Sequence, residues 1–365
     1  MHRNLDIVIL GLSVTSSWGN GHATIYRGLV RQLCQRGHGV LFLERDKPWY
    51  ARNRDLTEPD NCSLFLYGSL EELKDQYTDS IRRADAVVIG SYVPDGIEVN
   101  DWIFSEAAGV TAFYDIDTPV TLAALARSEC SFLSARQISK FDLYLSFSAG
   151  PILTRLRDEY KARNPLPLLC SVDPDVHSPQ HEINPKYDLG YMGTYSPDRQ
   201  SALEEMLLKP AWIWHQGRFA LAGSQYPEVD WPPNLDLKDH LIPPQHSSFY
   251  NSQRFTLNLT RADMIRAGFS PSVRLFEAAA CATPVISDYW RGLENFFEIG
   301  KEILVASSAD GVLTHLARLT EEERLSIGLR ARARVLSEHT TAHRAEELVN
   351  YLLQARNDQV LHSGL

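Results

Sequence analysis

The sequence has few cysteines and no long apolar run. Its five cysteines are scattered, their number is odd, and none forms a Cys-x-x-Cys pair. This pattern argues against a disulfide framework and favours reduced structural thiols, so we expect a cytoplasmic protein. The apolar stretch from Leu5 to Leu12 is interrupted by Asp6, which is typical of a strand rather than a signal peptide or a membrane span.

Positive charge is also scarce. The 36 Lys and Arg residues are outnumbered by 46 Asp and Glu residues, which gives a net charge of -10. This balance argues against general nucleic-acid binding, although it leaves room for a local basic pocket that holds a diphosphate. At 365 residues, with 44% hydrophobic and 22% charged content, the chain is long enough for two globular domains with full cores.

The first half begins with a strand, a glycine loop, a helix and a second strand. This order is typical of a doubly wound sheet, but the G-x-G-x-x-G spacing of a dinucleotide site is absent. His22 follows Gly21 and opens the helix, at the carboxyl end of the first strand, where parallel sheets bind ligands. His22 is therefore a candidate catalytic residue, and Gly21 is a candidate ligand-binding residue. The alternative is a histidine that only caps the helix.

Two carboxylates follow a later strand of this half. Residues 110–114 predict a strand, and Asp115 and Asp117 come directly after it. Two such residues in a strand would project to the same side and could bind a metal ion. No third ligand is evident, so we predict no metal site and keep both as candidate catalytic residues.

The second half repeats the design of the first. The many prolines of residues 163–187 indicate an interdomain linker, and a strand, a loop containing Gly193 and a helix follow it. Arg199 at this loop–helix junction and Arg261 after a later strand are candidate anion-binding residues. We predict domains at residues 1–172 and 173–340, with a C-terminal helix in 341–365 that packs back on the first domain and ends in a flexible tail.

The stretch from Gly268 to Lys301 is the most informative part of the chain. Ser270 suits a helix N-cap, Pro271 suits the first helical position, and residues 285–287 predict a short buried strand. The start of this helix favours a phosphate, and the candidate binding residues are Ser270, Ser272, Val273 and Arg274.

Glu277 lies one turn further along this helix. Because Arg274 and Glu277 are three residues apart, they share one face of the helix. The carboxylate is placed to accept hydrogen bonds from the hydroxyls of a ribose. The alternative is a surface ion pair between these two residues on an ordinary helix.

The amino-acid sequence of this stretch resembles that of the glycosyltransferases of the GT-B fold, and within them the CgeB-like family of spore-maturation type. The matching segments are residues 270–280, 283–288, 296–298 and 300–304, with FYDIDTP at 113–119 and CSVDP at 170–174 as further similar phrases. The resemblance implies two Rossmann-like doubly wound domains that face a central cleft. It also implies a nucleotide-sugar donor such as a UDP-sugar, with Glu277 on its ribose, and no cofactor or metal. It does not name the acceptor.

The resemblance also implies a mechanism for His22. Inverting GT-B enzymes often place their catalytic histidine after a glycine in this loop, so His22 would take the acceptor proton with Asp117 or Asp115 as its partner. Many retaining members carry a glutamate eight residues before Glu277, where this chain has Phe269, so a retaining mechanism cannot be carried over. The alternatives are a GT-B sugar-nucleotide epimerase and a spore- or envelope-associated protein that keeps the fold without activity.

Overall fold

The computed structural model describes residues 4–57, 59, 62–180 and 182–363. The chain forms two compact units: Met1–Cys170 with Thr341–Leu365, and Ser171–Thr340. Ser171 and Val172, which the sequence placed in the first domain, belong to the second unit. The reason is local, because the Val172 N–H donates to His339 O at 3.0 Å and the strand-like bridge continues to Thr340.

The first unit is built on a parallel sheet. Its strands are β1 (Asp6–Gly11), β2 (Gly39–Arg45), β3 (Ser63–Tyr67), β4 (Ala86–Gly90), β5 (Val110–Asp115), β6 (Leu143–Ser146) and β7 (Pro165–Pro167). The order across the sheet is β3-β2-β1-β4-β5-β6-β7, so the connection reverses direction between β1 and β4. Every residue of β4 and β5 is buried, as expected for central strands that helices cover on both faces.

Helices connect these strands. They are α1 (His22–Gln35), α2 (Pro48–Ala51), α3 (Leu70–Arg83), α4 (Gly96–Glu106), α5 (Thr118–Ala126), α6 (Ala135–Ile138) and α7 (Pro151–Asp158). Ser69 caps the start of α3, because its hydroxyl accepts a hydrogen bond from Glu72 N at 3.1 Å.

The second unit repeats this architecture. Its strands are β8 (Tyr187–Met192), β9 (Phe219–Ala222), β10 (Leu235–Lys238), β11 (Gln253–Asn258), β12 (Val285–Ser287) and β13 (Leu304–Val305). Their order is β10-β9-β8-β11-β12-β13, and all pairs are parallel. The reversal falls between β8 and β11. The prediction of two doubly wound α/β domains is therefore confirmed.

Helices connect the strands of the second unit. They are α8 (Pro197–Leu203), a π-helical turn (Glu204–Leu208), α9 (Lys209–Ile213), α10 (Pro243–Asn251), α11 (Ala262–Ala267), α12 (Val273–Ala280), a 3₁₀ turn (Leu293–Asn295), α13 (Ala309–Arg318) and α14 (Glu321–Glu338). Three buried alanines, residues 278–280, let α12 pack closely within this unit.

The C-terminal helix α15 (Thr341–Ser363) packs in the first unit. The expected flexible tail is wrong for the described residues, because the helix continues to Ser363. Contacts of its second half explain the extra length. Arg356 forms an ion pair with Asp85, and Gln359 Nε2 donates to Asp142 Oδ2 at 3.0 Å. Gly364 and Leu365 lie outside the described residues. No helix in the described ranges combines the length and apolarity needed to cross a bilayer.

Candidate functional site

Arg274 is anchored between β8 and β11, where the strand order of the second sheet reverses. Leu257 of β11 is paired with Tyr191 of β8, so the carboxyl ends of these strands lie side by side. The Nε of Arg274 donates to Met192 O, its Nη1 donates to Asn258 Oδ1 at 2.9 Å, and its guanidinium lies 4.7 Å from the centre of the Tyr191 ring. The cation is therefore fixed at the position where open parallel sheets bind ligands.

The helix that carries Arg274 starts later than the sequence predicts. Ser270 is not the N-cap: α12 begins at Val273, Ser272 occupies the N-cap position, and the Ser270 hydroxyl donates to Gly268 O at 2.9 Å. The Ser272 hydroxyl donates to Asn258 Oδ1 at 2.7 Å rather than capping the helix. The first N–H groups of α12 therefore begin beside Arg274, at the end of β11.

Gly193 lies close to this guanidinium. A Cβ on Gly193 would lie 2.8 Å from Arg274 Nη2 and 2.7 Å from the Tyr191 hydroxyl. A side chain at residue 193 would therefore displace the ends of these two side chains from their present positions.

The other two predicted arginines lie in the same unit. Arg199, in the first turn of α8, donates from Nη2 to Thr194 O at 2.7 Å. Arg261 precedes α11, and its Nε lies 3.7 Å from Asp198 Oδ2. Asp198 also accepts a hydrogen bond from Ala262 N at 3.1 Å. Asp198 is therefore a local partner of Arg261 and connects the start of α8 to the start of α11. Burial raises the pKa of Tyr226, while the nearby charges of Arg199 and Arg274 both act to lower it.

Glu277 is buried inside the unit. Its Oε2 accepts a hydrogen bond from the Tyr250 hydroxyl at 2.9 Å, while its Oε1 lies 3.6 Å from His177 Nε2. The Nδ1 of His246 is 4.0 Å from the same oxygen. Burial acts to raise the pKa of Glu277, but the two imidazoles and the Tyr250 hydrogen bond outweigh it and lower that pKa to about 2. The alternative of a surface Arg274–Glu277 ion pair is therefore wrong.

Phe269 has an unusual backbone conformation. Its φ is 51°, in the left-handed region that a bulky residue rarely adopts. Its N–H donates to Arg291 O at 2.7 Å, and its ring lies 5.7 Å from the Arg291 guanidinium. Such strain commonly concentrates at functional sites, and here it falls at the position where the resemblance leads us to look for a glutamate.

In the first unit, His22 and Asp117 are neighbours. The Nε2 of His22 lies 3.7 Å from Asp117 Oδ2, and their side chains are 19% and 15% exposed. The Tyr92 hydroxyl donates to the same oxygen at 3.0 Å. These residues follow β1, β5 and β4, which adjoin one another in the sheet. The three side chains therefore form a small polar cluster at the carboxyl edge.

The start of α1 is stabilised by a residue other than His22. The His22 N–H donates to Asn20 Oδ1 at 3.1 Å, while Gly21, at the N-cap position, has no side chain to contribute. The His22 imidazole is therefore not the cap, and its ring faces Asp117 and Tyr92.

Asp115 contacts a different set of groups. It is fully buried, and it accepts from the Tyr144 hydroxyl at 2.5 Å, from the Thr121 hydroxyl at 2.8 Å and from Asp117 N at 3.2 Å. Burial raises its pKa to about 6. The prediction that the Asp115 and Asp117 side chains project to the same side of one strand is wrong. Asp117 lies beyond the end of the strand, with φ −140° and ψ 43°. Asp117, rather than Asp115, lies beside His22.

Several polar residues of these clusters were missed in the sequence. Buried Glu44 accepts from Val14 N at 2.7 Å and Thr15 N at 3.0 Å, and so shapes the loop before His22. The others are Tyr92, His177, His246, Tyr250 and Asn258. Only the position of Asn258 at a strand end was a usable signal, because the remaining residues meet through long-range packing.

The chain was compared with known proteins. Residues 199–350 match the model of a family described as glycosyl transferase-like. No curated protein sequence matches the chain.

Solved structures match over nearly the whole chain. A sucrose-phosphate synthase from Thermosynechococcus elongatus is 12% identical over 96% of this chain and 99% of that one, with a TM-score of 0.69. Anabaena HepE, in complex with UDP-glucose, is 11% identical over 96% and 100%, with a TM-score of 0.71. An alpha-glucosyltransferase in complex with UDP is 11% identical over the same shares, with a TM-score of 0.74. The protein therefore has the GT-B fold.

The buried carboxyl of Asp115 predicts a pH-dependent mutant effect. Its folded pKa is raised from 3.8 to about 6, so the neutral form is favoured in the folded state. The resulting stability is present below about pH 4 and is lost as the pH rises through about 6. The free energy of unfolding of Asp115→Asn minus that of the wild type should therefore increase by up to about 3 kcal/mol as the pH rises from 3.5 to 7.5. Urea denaturation across this range measures the difference.

Asp75→Asn, at an exposed position on α3, is the control. A mutant-minus-wild-type difference at Asp115 that stays constant with pH would show that this carboxyl does not change its ionisation on folding.

Proposed function

We propose that this protein is a glycosyltransferase that moves a sugar from a nucleotide-sugar donor, a UDP-sugar, to an acceptor hydroxyl. The proposal rests on the anchored cation of Arg274 and the buried carboxylate of Glu277, which lie one helical turn apart. The helix that carries them starts where the strand order of the second sheet reverses. The glycosyl transferase-like match over residues 199–350 supports it. So does the likeness to structures that were solved with UDP and UDP-glucose.

The donor diphosphate is assigned to the start of α12. Ser272 and Val273 present backbone N–H groups there, and Arg274 adds a full positive charge held by Met192 O and Asn258. Arg199 supplies a second cation in the same unit. Together they neutralise the charge that develops on the leaving diphosphate, so the transfer needs no metal ion.

The donor ribose is assigned to Glu277. Its Oε2 already accepts from the Tyr250 hydroxyl, which leaves Oε1 to accept from ribose hydroxyls. Because the pKa of this carboxyl is lowered to about 2, the group is fully ionised at neutral pH and accepts strong charge-assisted hydrogen bonds.

The first unit supplies the acid–base chemistry in this proposal. His22 takes the proton from the acceptor hydroxyl as its oxygen attacks the anomeric carbon, and the bond to the diphosphate breaks. Asp117 stabilises the imidazolium that forms, and Tyr92 holds Asp117 in place through its hydrogen bond of 3.0 Å.

Two finer assignments belong to the same proposal. The segments around Ser270–Asp288 favour the CgeB-like family within the GT-B glycosyltransferases. None of the five cysteines, which all lie within the described residues, forms a disulfide, and Cys170 and Cys281 are buried, which supports a reducing, cytoplasmic environment.

Removing the ribose carboxylate should weaken nucleotide binding. Glu277→Ala should reduce the affinity for UDP by about 1.5–3 kcal/mol, because a charge-assisted hydrogen bond is lost. Isothermal titration with UDP measures the change, and Glu294→Ala, at an exposed position of the same unit, is the control. Unchanged UDP affinity in a folded Glu277→Ala variant would place the ribose elsewhere.

Chelation should leave the reaction intact. Because arginines and a helix start take the place of a metal, transfer measured by UDP release from a panel of UDP-sugars with candidate acceptors should persist in EDTA. Loss of activity in EDTA with rescue by Mg²⁺ or Mn²⁺ would contradict the assignment. Interconversion of the sugar without transfer would indicate the epimerase instead.

The proposed base should affect the rate more than nucleotide binding. His22→Ala should lower the transfer rate by at least about tenfold, within the range for a lost general base, while UDP affinity stays near the wild-type value. Asp117→Asn should act in the same direction, and the double variant should lose less than the sum of the two. Wild-type turnover in His22→Ala would require another base.

A further inference from the structure

Three side chains of the kinds that ligate metals converge in the second unit. His177 precedes β8, His246 lies in α10 and Glu277 lies in α12. Each offers one ligand atom, and these atoms all lie within 4.8 Å of one another, a grouping found nowhere else among residues 4–57, 59, 62–180 and 182–363. Asp115 and Asp117, the two carboxylates that the sequence offered as possible metal ligands, belong to the other unit.

The hydrogen bonding of His246 determines which of its ring nitrogens can offer a lone pair to a metal ion. Its Nε2 lies 3.0 Å from Leu241 O. A carbonyl oxygen can only accept, so Nε2 carries a proton, and in the neutral ring that a metal ion would bind, Nδ1 holds the lone pair. That lone pair is on the nitrogen 4.0 Å from Glu277 Oε1. A backbone carbonyl that fixes the tautomer in this way is the usual second-shell partner of a metal-ligating histidine.

His177 brings a second ring nitrogen close to Glu277 Oε1. Its side chain is 3% exposed, its Nε2 lies 3.6 Å from Glu277 Oε1, and neither ring nitrogen has a hydrogen-bond partner. Buried polar groups without partners are rare, and each one calls for an explanation such as a bound ion.

We propose that His177, His246 and Glu277 form a binding site for a divalent transition-metal ion of the Zn²⁺ type, with an open fourth position. Two imidazoles and one carboxylate are a common three-residue zinc set. Tetrahedral Zn²⁺ places its ligand atoms about 3.3 Å apart. The distances of 3.6 and 4.0 Å to Oε1 therefore need only small movements of side chains. The Tyr250 hydroxyl on Oε2 and Leu241 O on His246 complete the surrounding hydrogen bonds.

The ion and the nucleotide would use the same oxygen. This consequence rests on the proposed function, whereas the metal site itself rests only on the geometry. Bound Zn²⁺ takes the Glu277 Oε1 that the ribose needs, so the metal-loaded protein should bind UDP less well. The site is then inhibitory, which agrees with transfer that persists in EDTA.

The test uses untagged, EDTA-treated full-length protein. Zn²⁺ titrated by calorimetry should bind with a stoichiometry near one per chain, and Co²⁺ should develop the visible absorption bands of a four-coordinate site. His177→Gln and His246→Gln should each weaken binding at least about tenfold, with the folded state checked by thermal melting. His315→Gln is the matched control, because His315 Nε2 also lies 3.0 Å from a backbone carbonyl, Val305 O, but outside the cluster.

The outcomes separate the two proposals. Absence of the Co²⁺ bands in the wild type, or wild-type Zn²⁺ affinity in both cluster variants, overturns the metal site. Zn²⁺ should raise the apparent Kd for UDP at least about tenfold in the wild type and leave it unchanged in His177→Gln. Zn²⁺ binding with no UDP binding under any condition supports the metal site and contradicts the proposed function.

Discussion

The anchoring of Arg274 is the contact on which the second unit's site depends. Its guanidinium joins α12 to the carboxyl ends of β8 and β11 through Met192 O and Asn258 Oδ1. Because those strands pair in parallel and the connections reverse between them, neither sheet nor helix alone could place a cation there. Glu277 lies one turn further along the same helix, where it accepts a hydrogen bond from the Tyr250 hydroxyl.

Buried acids perform a similar positioning role in the first unit. Glu44 binds the backbone of the loop before His22, and Asp115 ties β5 to Tyr144 and α5. These carboxylates are fully buried and hydrogen-bonded, which stiffens the strand ends. His22 and Asp117, which are partly exposed, are therefore held on a rigid edge. The structure thus separates carboxylates that shape the unit from the one that faces the histidine.

The two doubly wound units were predictable from alternating apolar strands, loops and helices, because these patterns are local. The roles proposed for Arg274 and Glu277 come from their spacing and from the family resemblance. Other features depended on long-range packing. Nothing in the neighbourhood of His177 or His246 in the sequence shows that they meet at Glu277, since α10, α12 and the segment before β8 come together only in the folded unit. Ser270 failed as an N-cap because its hydroxyl found a partner in Gly268 O, and the tail proved helical because it is tied to Asp85 and Asp142.

The central claim is that the second unit binds the donor through Arg274 and Glu277. A crystal structure of the wild-type protein with UDP tests it most directly. We expect diphosphate oxygens within hydrogen-bond distance of the Arg274 guanidinium and the first N–H groups of α12, with a ribose hydroxyl on Glu277 Oε1. Well-defined UDP bound elsewhere in the chain, or a ribose that does not contact Glu277, would contradict it.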